Sequence, residues 1–446
     1  MSLEATDLPP EDYDPDVRPI ECTSYHQLLE CYEKKLAIDR PWEYTAAVAF
    51  STLLSTHVPG VPIWMHIVGE SATGKTTIVD QVGAARPYTH SLSKFTGFHS
   101  GFRQGSSTKD HSLFDALQGK MVTNKDFTTV LGMDGTSRER VFSELRDAYD
   151  GHTSSHYRNG IKSEHTDVRF SFLTAVTPEI YRFNLVHLGE RFLKVQINSA
   201  WTPSGNMSQT NLAPKTVEAA LTTSLLAMTG SSASSAANLV EQKSMSWGFV
   251  EYLLQVIGEH PKYITQIADN IRRRELPYLH ALATIVEAAR ATVVGGAAHY
   301  KPKPASPNRS ALQLTKLMVC LCIVYGVNAP TKKIRNICRK VALDTSLSLN
   351  EEVLCILSSV IDPSTRKFDN SGLRIGDLAE IIHTSIPTVT GVINDLTALG
   401  LVQIADAAAR ARGRGRPASV YQLTPELFSH FEIVREANNE SGRTRE

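Results

Sequence analysis

The chain has 446 residues, of which 46 are Lys or Arg and 46 are Asp or Glu, so its formal net charge is zero. This balance excludes a uniformly basic nucleic-acid coat, and any polyanion would have to be bound by local patches. Hydrophobic residues make up 42% of the chain and charged residues 21%, which is typical of a folded globular protein and excludes wholesale disorder. The length alone allows one to three domains.

No apolar run reaches the roughly 18 residues that predict a membrane-spanning helix. The first 16 residues are acidic and contain several prolines, unlike a signal or transit peptide. The six cysteines form no Cys-x-x-Cys pair, and most of them stand in apolar helical stretches. We therefore expect reduced core thiols, no membrane partner and a cytoplasmic location.

Residues 1–24 are predicted to be a flexible acidic arm, and residues 25–55 a helical segment. The run VPIWMHIVG is then typical of a buried strand that leads into a glycine-rich loop. Strand-like and helix-like stretches alternate from there to about residue 198. Such alternation predicts an α/β fold with a parallel sheet covered by helices, and we assign residues 56–200 to this core.

The second half of the chain is predicted to be mostly helical. Residues 201–245 are rich in Ser, Thr, Asn and Ala and are predicted to be a linker or surface excursion. Helical stretches return over residues 246–350, including SALQLTKLMVCLCIVYG. A last small unit is predicted over residues 351–430, and a tail over residues 431–446.

The strongest motif reads G-x-x-x-x-G-K-T and stands between an apolar strand and the helical stretch TTIVDQVGAA. Glycines allow backbone N–H groups to wrap a phosphate, and the positive end of the following helix adds to the attraction. Lys75 is expected to reach the β- and γ-phosphates, and the Thr76 hydroxyl to hold Mg²⁺. An ordinary glycine-rich turn is the alternative, which the strand–loop–helix context disfavours. The predicted nucleotide-binding residues of this motif are Gly69, Glu70, Ser71, Ala72, Thr73, Gly74, Lys75, Thr76 and Thr77.

A nucleotide-hydrolysing site also needs an acid near the metal, and a buried strand followed by Asp is the usual source. The stretch KMVTNKDF supplies Asp126 as the candidate Mg²⁺ ligand, and the alternative is an Asp that caps the strand end. No second carboxylate adjoins Asp126. Glu144 is therefore named as the candidate that orients water, and the alternative is a solvated acid on a helix.

The order of four blocks makes the chain recognisable. VPIWMHIVGESATGKTT, NKDFTTVLGMDGTSRERVFSELRDAYDG, SFLTAVTPEI and LGERFLKVQI together resemble the AAA+ ATPases of phages and other mobile elements, which are related to superfamily 3 and minichromosome-maintenance helicases. SPNRSALQLTKLMVCLCIVYG is similar to their helical lid, so the resemblance covers about residues 45–350. It implies an AAA+ P-loop domain with a parallel sheet and helical lid, ATP and Mg²⁺, and a homo-oligomeric ring, most often a hexamer.

The resemblance also implies roles for three further residues. Thr177, at the end of SFLTAVT, corresponds to the polar sensor of γ-phosphate or water, or else starts the turn at Pro178. Arg191 in LGERF resembles the arginine finger that reaches a neighbouring subunit's nucleotide, or else is a surface arginine. Arg309 in SPNRSALQL resembles the lid's nucleotide-sensing arginine, or else begins a helix without a ligand. A permanently charged guanidinium suits both roles because it can fork onto phosphate oxygens.

A hairpin is predicted before the Thr177 strand. Asn159-Gly160 stands between two short polar stretches and is a strong hairpin-turn signal. In the related helicases a hairpin at this place projects into the pore of the ring and grips single-stranded DNA. Cations and an aromatic ring suit that binding, although a solvated hairpin without a ligand fits the same residues. The predicted contacts are His156, Tyr157, Arg158 and Lys162.

Residues 373–424 are predicted to form a winged helix with LRIGDLAEIIH and SIPTVTGVINDLTALG as its helices and AAARARGRGRP as the tip of its wing. Four arginines on a glycine-containing tip suit the phosphates or the minor groove of duplex DNA. The second helix lacks a basic face, so protein docking or a solvated loop is the alternative. The predicted DNA-binding residues of the wing are Arg410, Arg412, Arg414 and Arg416.

These motifs favour a ring-forming, ATP-driven DNA translocase, most specifically a replicative helicase of a phage or mobile genetic element that works with a separate primase. A second hypothesis is an AAA+ initiator, loader, or regulatory or defence ATPase that binds DNA without unwinding it. A third hypothesis is a nucleotide kinase. It is disfavoured because no base-specific substrate pocket is recognisable and a winged helix has no use in such an enzyme.

Overall fold

The computed structural model describes residues 16–36, 41–71, 73–92, 95, 97–99, 112–156, 162–182, 191–197, 232–293, 303–361, 367–405 and 419–439. Within these residues the chain is a mixed α/β protein with a five-stranded parallel sheet and many helices. The predicted α/β class with a parallel sheet is confirmed, and the architecture is compatible with a P-loop domain.

The central sheet has the strand order β2-β3-β6-β1-β7, and every neighbouring pair is parallel. Every residue of β1, β3 and β6 is buried, as expected for a parallel sheet covered on both faces. Because the strands are parallel, all of them end at one side of the sheet, its carboxyl end, and begin at the other, its amino end. The strands are β1 (Trp64–Val68), β2 (Thr89–Ser91), β3 (Met121–Asn124), β6 (Ser171–Val176) and β7 (Phe192–Gln196).

Two hydrophobic clusters cover the two faces of the sheet. Met65 and Ile67 of β1 belong to the larger cluster, which includes the N-terminal helices and the helices after residue 232. Trp64 and Val68 belong to the smaller cluster, which is rich in phenylalanine. The alternation follows from the two-residue period of a strand. The helices of the first half are α1 (Tyr25–Leu36), α2 (Pro41–Leu54), α3 (Lys75–Gly83), α4 (Phe114–Leu117), α5 (Thr128–Leu131) and α6 (Gly135–Tyr149).

An antiparallel hairpin, β4 (His152–His156) with β5 (Lys162–Thr166), lies in the chain between α6 and β6. Its pairing runs from His152 opposite Thr166 to His156 opposite Lys162. The hairpin extends from the amino end of the sheet, because β5 leads directly into the start of β6. The structure therefore contains a hairpin where one was predicted, while the predicted turn at Asn159-Gly160 lies outside the described residues.

Among the described residues, six further helices lie between residues 232 and 358. The first of them begins inside the segment predicted to be a linker, so residues 232–245 are helical, while residues 201–231 lie outside the described part of the chain. Polar packing explains the difference: Gln242 and Ser246 are buried and exchange hydrogen bonds with Gln81 of α3, each at 3.2 Å. The helices are α7 (Ser232–Glu259), α8 (Pro261–Arg274), α9 (Leu276–Arg290), α10 (Asn308–Val324), α11 (Lys332–Ser346) and α12 (Leu349–Ser358).

Side chains close the outer edge of β7. The Lys194 N–H donates to Thr345 Oγ1 at 2.8 Å, and the Gln196 N–H donates to Asp344 Oδ2 at 2.7 Å. The Lys194 carbonyl accepts from Thr345 Oγ1 at 3.3 Å, and the Gln196 carbonyl accepts from the Tyr44 hydroxyl at 3.2 Å. Helices α11 and α2 thus satisfy the outward backbone groups at both positions.

The C-terminal unit combines three helices with a small antiparallel sheet in the order β8-β10-β9. After the short strand β8 come two helices, and two paired strands follow, with β9 leading to β10 through the predicted wing tip. That tip, with all four of its arginines, lies outside the described residues. The elements are β8 (Leu373–Arg374), α13 (Ile375–Ile382), α14 (Ile386–Ala398), β9 (Val402–Ile404), β10 (Val420–Leu423) and α15 (Pro425–Asn439).

The described residues bear on the expectations for membrane-spanning helices and for the cysteines. Among them, no helix combines the length and apolar content that crossing a membrane requires. All six cysteines are free thiols, and five of them are buried.

The N-terminal segment passes close to α7 at Gly248. A Cβ atom at Gly248 would lie 1.7 Å from the carbonyl oxygen of Ile20, whose N–H donates to the Ser244 carbonyl at 3.1 Å. We expect Gly248→Ala to displace this segment and to lower the free energy of unfolding by about 1–3 kcal/mol, as overpacking does. Urea unfolding of the purified variant measures the loss.

Gly258→Ala is the matched control, because Gly258 lies in the same helix with no atom within 4 Å of its Cβ position. Alanine favours a helix over glycine, so this variant should be neutral or more stable by up to about 1 kcal/mol. Equal unfolding midpoints for the two variants would show that the approach of Ile20 to α7 does not contribute to stability.

Candidate active site

The predicted phosphate loop joins the carboxyl end of β1 to the start of α3 at Lys75. Gly74 adopts a left-handed conformation, with φ at 84°, which glycine tolerates better than other residues. A Cβ atom at Gly69 would lie 2.7 Å from Thr73 Oγ1, which donates to the Glu70 carbonyl at 2.8 Å. The compact loop therefore needs both glycines. Ala72 lies outside the described residues.

The Lys75 side chain turns back into this loop. Its ammonium donates to the carbonyls of Gly69 and Glu70 at 2.7 and 2.6 Å. Burial lowers the pKa of Lys75, while the negative charges of Glu70 and Asp126 act in the opposite direction. Lys75 is thus held beside the loop backbone, within the electrostatic influence of Asp126.

Asp126 and Thr177 stand at the same carboxyl end of the sheet as the loop. The N–H of Phe127, the residue after Asp126, donates to the Ala175 carbonyl at 2.9 Å. The Gly69 N–H donates to the Val176 carbonyl at 3.2 Å. Because β6 lies between β3 and β1, Thr177 stands between Asp126 and the loop. Three adjacent strands thus bring together the candidate residues of three distant parts of the sequence.

Several polar atoms of this group are available to a ligand. The Thr177 hydroxyl is buried and has no hydrogen-bond partner among the described residues. The side chains of Thr76 and Asp126 are exposed, and one Asp126 oxygen accepts only a local N–H, that of Thr128, at 3.0 Å. Hydroxyl and carboxylate oxygens are the ligands that Mg²⁺ prefers, and the Lys75 ammonium suits a phosphate. The residues present therefore fit a nucleotide with Mg²⁺.

Arg191 lies at the opposite end of the sheet. It immediately precedes β7, which is parallel to β1 and pairs Phe192 with Trp64. Along a five-residue strand the phosphate loop is therefore about 16 Å away. Arg191 is 8% exposed, and its guanidinium donates to Asp150 Oδ2 at 2.5 Å.

Arg309, in the first turn of α10, meets Arg191 at this place. Its guanidinium lies 3.8 Å from Asp150 Oδ1. The Tyr149 ring centre lies 5.8 Å from the guanidinium carbon of Arg191 and 5.9 Å from that of Arg309. The Gln313 amide nitrogen donates to the Tyr149 hydroxyl at 2.9 Å and to the Arg191 carbonyl at 2.8 Å. We call these five residues the arginine cluster.

Sequence motifs identified the two arginines of this cluster separately, but they did not identify the residues that bring the arginines together. Tyr149 and Asp150 belong to the block L-R-x-x-Y-D-G that supported the family resemblance, and this block was the available signal. Gln313 stands in the helical stretch SALQL, where no local pattern marks it.

Glu144, predicted to orient water, has a different environment. Its Oε2 accepts from the N–H groups of Phe98 at 2.6 Å and His99 at 3.3 Å. Burial raises the pKa of Glu144, although these two hydrogen bonds act to lower it. A Cβ atom at Gly97 would lie 2.6 Å from the same oxygen, so the carboxylate fills the space beneath this loop. Glu144 thus holds this loop in the structure, and its role in orienting water stays a prediction.

The hairpin presents two of its four predicted DNA-contacting residues. His156 and Lys162 are directly opposite one another and exposed, whereas Tyr157 and Arg158 lie outside the described residues. His99 contacts the other face of the hairpin. Its Nε2 lies 2.6 Å from Thr153 Oγ1 on β4, and its Nδ1 lies 2.8 Å from the Ser163 hydroxyl on β5. The hairpin base is therefore tied to the same loop that Glu144 holds.

No protein-family model and no curated protein matches the sequence. Among solved structures, the chain is similar to one described as "SCCmec type IV Cch - active helicase". The two are 12% identical, the match covers 93% of this chain and 73% of that chain, and the TM-score is 0.37. A similarity of this size supports no inference about activity.

We expect Glu144→Gln to reduce stability without reducing ATP turnover, because the carboxylate bonds a loop rather than a reactant. Loss of the charge-assisted hydrogen bonds should cost about 1–2 kcal/mol of unfolding free energy. Asp147→Asn is the control, since Asp147 is exposed on the same helix. Thermal unfolding and ATP turnover at saturating substrate are measured together. A large loss of turnover at an unchanged melting temperature would place Glu144 in the reaction.

Proposed function

We propose that the protein is an ATP-hydrolysing AAA+ ring that moves along DNA, and that it is a replicative helicase of a phage or mobile genetic element. The observation that carries this proposal is the meeting of the phosphate loop, Asp126 and Thr177 at the carboxyl ends of three adjacent strands. Ligands of open parallel sheets bind at that end, outside the carboxyl ends of the strands.

Each of these residues has a definite task in the proposal. The loop N–H groups and Lys75 bind the phosphates of ATP, while Thr76 and Asp126 hold Mg²⁺. Bound Mg²⁺ supplies neutralisation of the phosphate charge. The Thr177 hydroxyl contacts the γ-phosphate or the attacking water, which accounts for a buried hydroxyl that has no partner among the described residues.

The position of the two arginines supports the ring. Arg191 and Arg309 lie about 16 Å from the phosphate loop of their own chain, farther than a side chain extends. The two arginines would instead meet the phosphates of a nucleotide bound to a second copy of the chain. The amino end of the sheet in one copy would then face the carboxyl end of the sheet in the neighbouring copy. Such a head-to-tail contact closes into a ring, for which the family resemblance favours six subunits.

We further propose that the C-terminal unit is a winged helix, with α13 and α14 as its helix pair and β9 and β10 as the strands of its wing. The only charged residue of α14 is Asp395. Contact with duplex phosphates would therefore come from the wing arginines. Ile386, at the start of α14, is 58% exposed. This uncharged, partly apolar helix start favours a second candidate function, an AAA+ switch that docks a protein and binds DNA without unwinding it.

A mixing experiment tests the ring and the site together. Lys75→Ala should abolish ATP hydrolysis, and Arg191→Ala should bind ATP without hydrolysing it. In rings mixed at random from equal amounts, about a quarter of the interfaces pair an intact loop with an intact arginine cluster, so partial turnover should return. ATP hydrolysis is measured on rings shown by mass photometry to contain both variants. Absence of any recovery would mean that Arg191 serves only its own chain.

The hairpin prediction separates a helicase from a switch. Replacing Arg158 and Lys162 by Ala should depress DNA-stimulated ATP turnover and unwinding of a forked duplex, while turnover without DNA is retained. Loss of two phosphate contacts should flatten the logarithmic salt dependence of single-strand binding by up to about 1.4.

Ser154→Ala is the control for this variant, because Ser154 is exposed on the same hairpin and uncharged. An unchanged salt dependence in the double variant would remove the hairpin from DNA binding. DNA-stimulated turnover without unwinding by the unmodified protein would favour the switch.

A further inference from the structure

Asp150 occupies a position that its helix does not favour. It caps the carboxyl terminus of α6, where its N–H donates to the carbonyls of Ala148 and Arg146. The carboxyl terminus is the negative end of a helix, so an acid there is unfavourable unless a cation neutralises it. Arg191 and Arg309 lie at 2.5 and 3.8 Å, each against a different carboxylate oxygen. The two arginines, rather than the helix, therefore account for the placement of this acid.

The arginines in turn need the carboxylate. Two permanently charged guanidiniums that share one tyrosine ring repel each other, and one negative charge between them offsets that repulsion. The Tyr149 ring attracts both cations through its face and is fixed by an edge-on contact with Trp64, at 5.1 Å between ring centres. Without Asp150, the aromatic ring and the Gln313 contact to the Arg191 backbone would remain, but the negative charge that offsets the repulsion between the two guanidiniums would be lost.

Exposure differs across the cluster, and its more exposed cation is Arg309. Arg191 is 8% exposed, so its guanidinium is fixed against the protein. The side chains of Asp150 and Arg309 are 49% and 40% exposed. The open side of the cluster is thus lined by the carboxylate and by one of the two cations.

We propose that Asp150 is a positioning residue that holds Arg191 and Arg309 side by side, so that both reach one phosphate group of the nucleotide bound to the neighbouring subunit. The inference rests on the proposed function, because the nucleotide concerned is the neighbour's. Asp150 contacts the two arginines, which lie about 16 Å from the phosphate loop of their own chain. Its effect is therefore on turnover, through the geometry of the arginines, and not on nucleotide binding by its own chain.

The test uses Asp150→Asn in the full chain, which keeps the size of the side chain and one acceptor oxygen but removes the charge. The kcat for hydrolysis of ATP with Mg²⁺ should fall at least about tenfold, while KM changes less than about twofold because the phosphate loop is intact. Asp150→Glu should recover more turnover than Asp150→Asn. Asp147→Asn, one turn earlier on the same helix, should match the unmodified protein.

Mixed rings provide a readout that a general folding defect would not produce. Asp150→Asn subunits mixed with Lys75→Ala subunits should regain turnover, because the latter present an intact arginine cluster to an intact loop. Asp150→Asn mixed with Arg191→Ala should regain none, because the two defects lie in the same cluster. Recovery in that second mixture, or unmodified kcat in Asp150→Asn rings, would overturn the proposal.

Failure of this inference is distinguishable from failure of the proposed function. Inactive Arg191→Ala rings beside fully active Asp150→Asn rings would overturn the role of Asp150 alone. Fully active Arg191→Ala rings would overturn the action of the arginine on a neighbouring subunit, and the role of Asp150 with it.

Discussion

The parallel alignment of strands β1, β3, β6 and β7 determines which functional groups of this chain can meet. It places the phosphate loop, Asp126 and Thr177 at one end of the sheet, because each follows the end of its strand. It places Arg191 at the other end, because this residue precedes the start of its strand. The strands are buried and rigid, so no change of side-chain rotamer joins the two ends. A reaction that needs both sets of groups therefore needs two copies of the chain.

At the amino end of the sheet, the arginine cluster and the hairpin are formed partly by residues that are adjacent in the sequence. Helix α6 ends at Tyr149, Asp150 follows, and the hairpin begins at His152. The residues that hold the arginines thus continue directly into the element proposed to bind single-stranded DNA. The hairpin base is held in addition by His99, whose loop is bonded to Glu144 in the middle of α6. One helix therefore supports both the arginine cluster and the hairpin.

Local patterns were sufficient to predict the parts of the site that are continuous in sequence. The strand, loop and helix around Lys75 follow from an apolar run and a glycine motif, and the hairpin follows from a two-residue turn signal. The arginine cluster was not predictable in this way, because the partners Asp150 and Arg191 are 41 residues apart, and Tyr149 and Gln313 are 164 apart.

Two further differences have the same origin in non-local contacts. Glu144 resembles a catalytic acid in the sequence, but its partners are backbone N–H groups 45 and 46 residues away. The start of α7 resembles a linker because its packing relies on buried polar side chains, and composition alone does not reveal that Gln242 and Ser246 have partners on α3. The strand order of the sheet is likewise a property of the assembled chain.

The closed edge of β7 has a consequence for association between copies. An edge strand with unsatisfied backbone groups is a template on which strands of other chains can add, which leads to aggregation. Here the N–H and carbonyl groups of Lys194 and Gln196 are bonded to the side chains of Thr345, Asp344 and Tyr44. At these positions a foreign strand would have to displace bonds already formed. Copies of this chain held at high local concentration are thereby protected from one route to amyloid-like growth, and their contacts are left to side-chain surfaces.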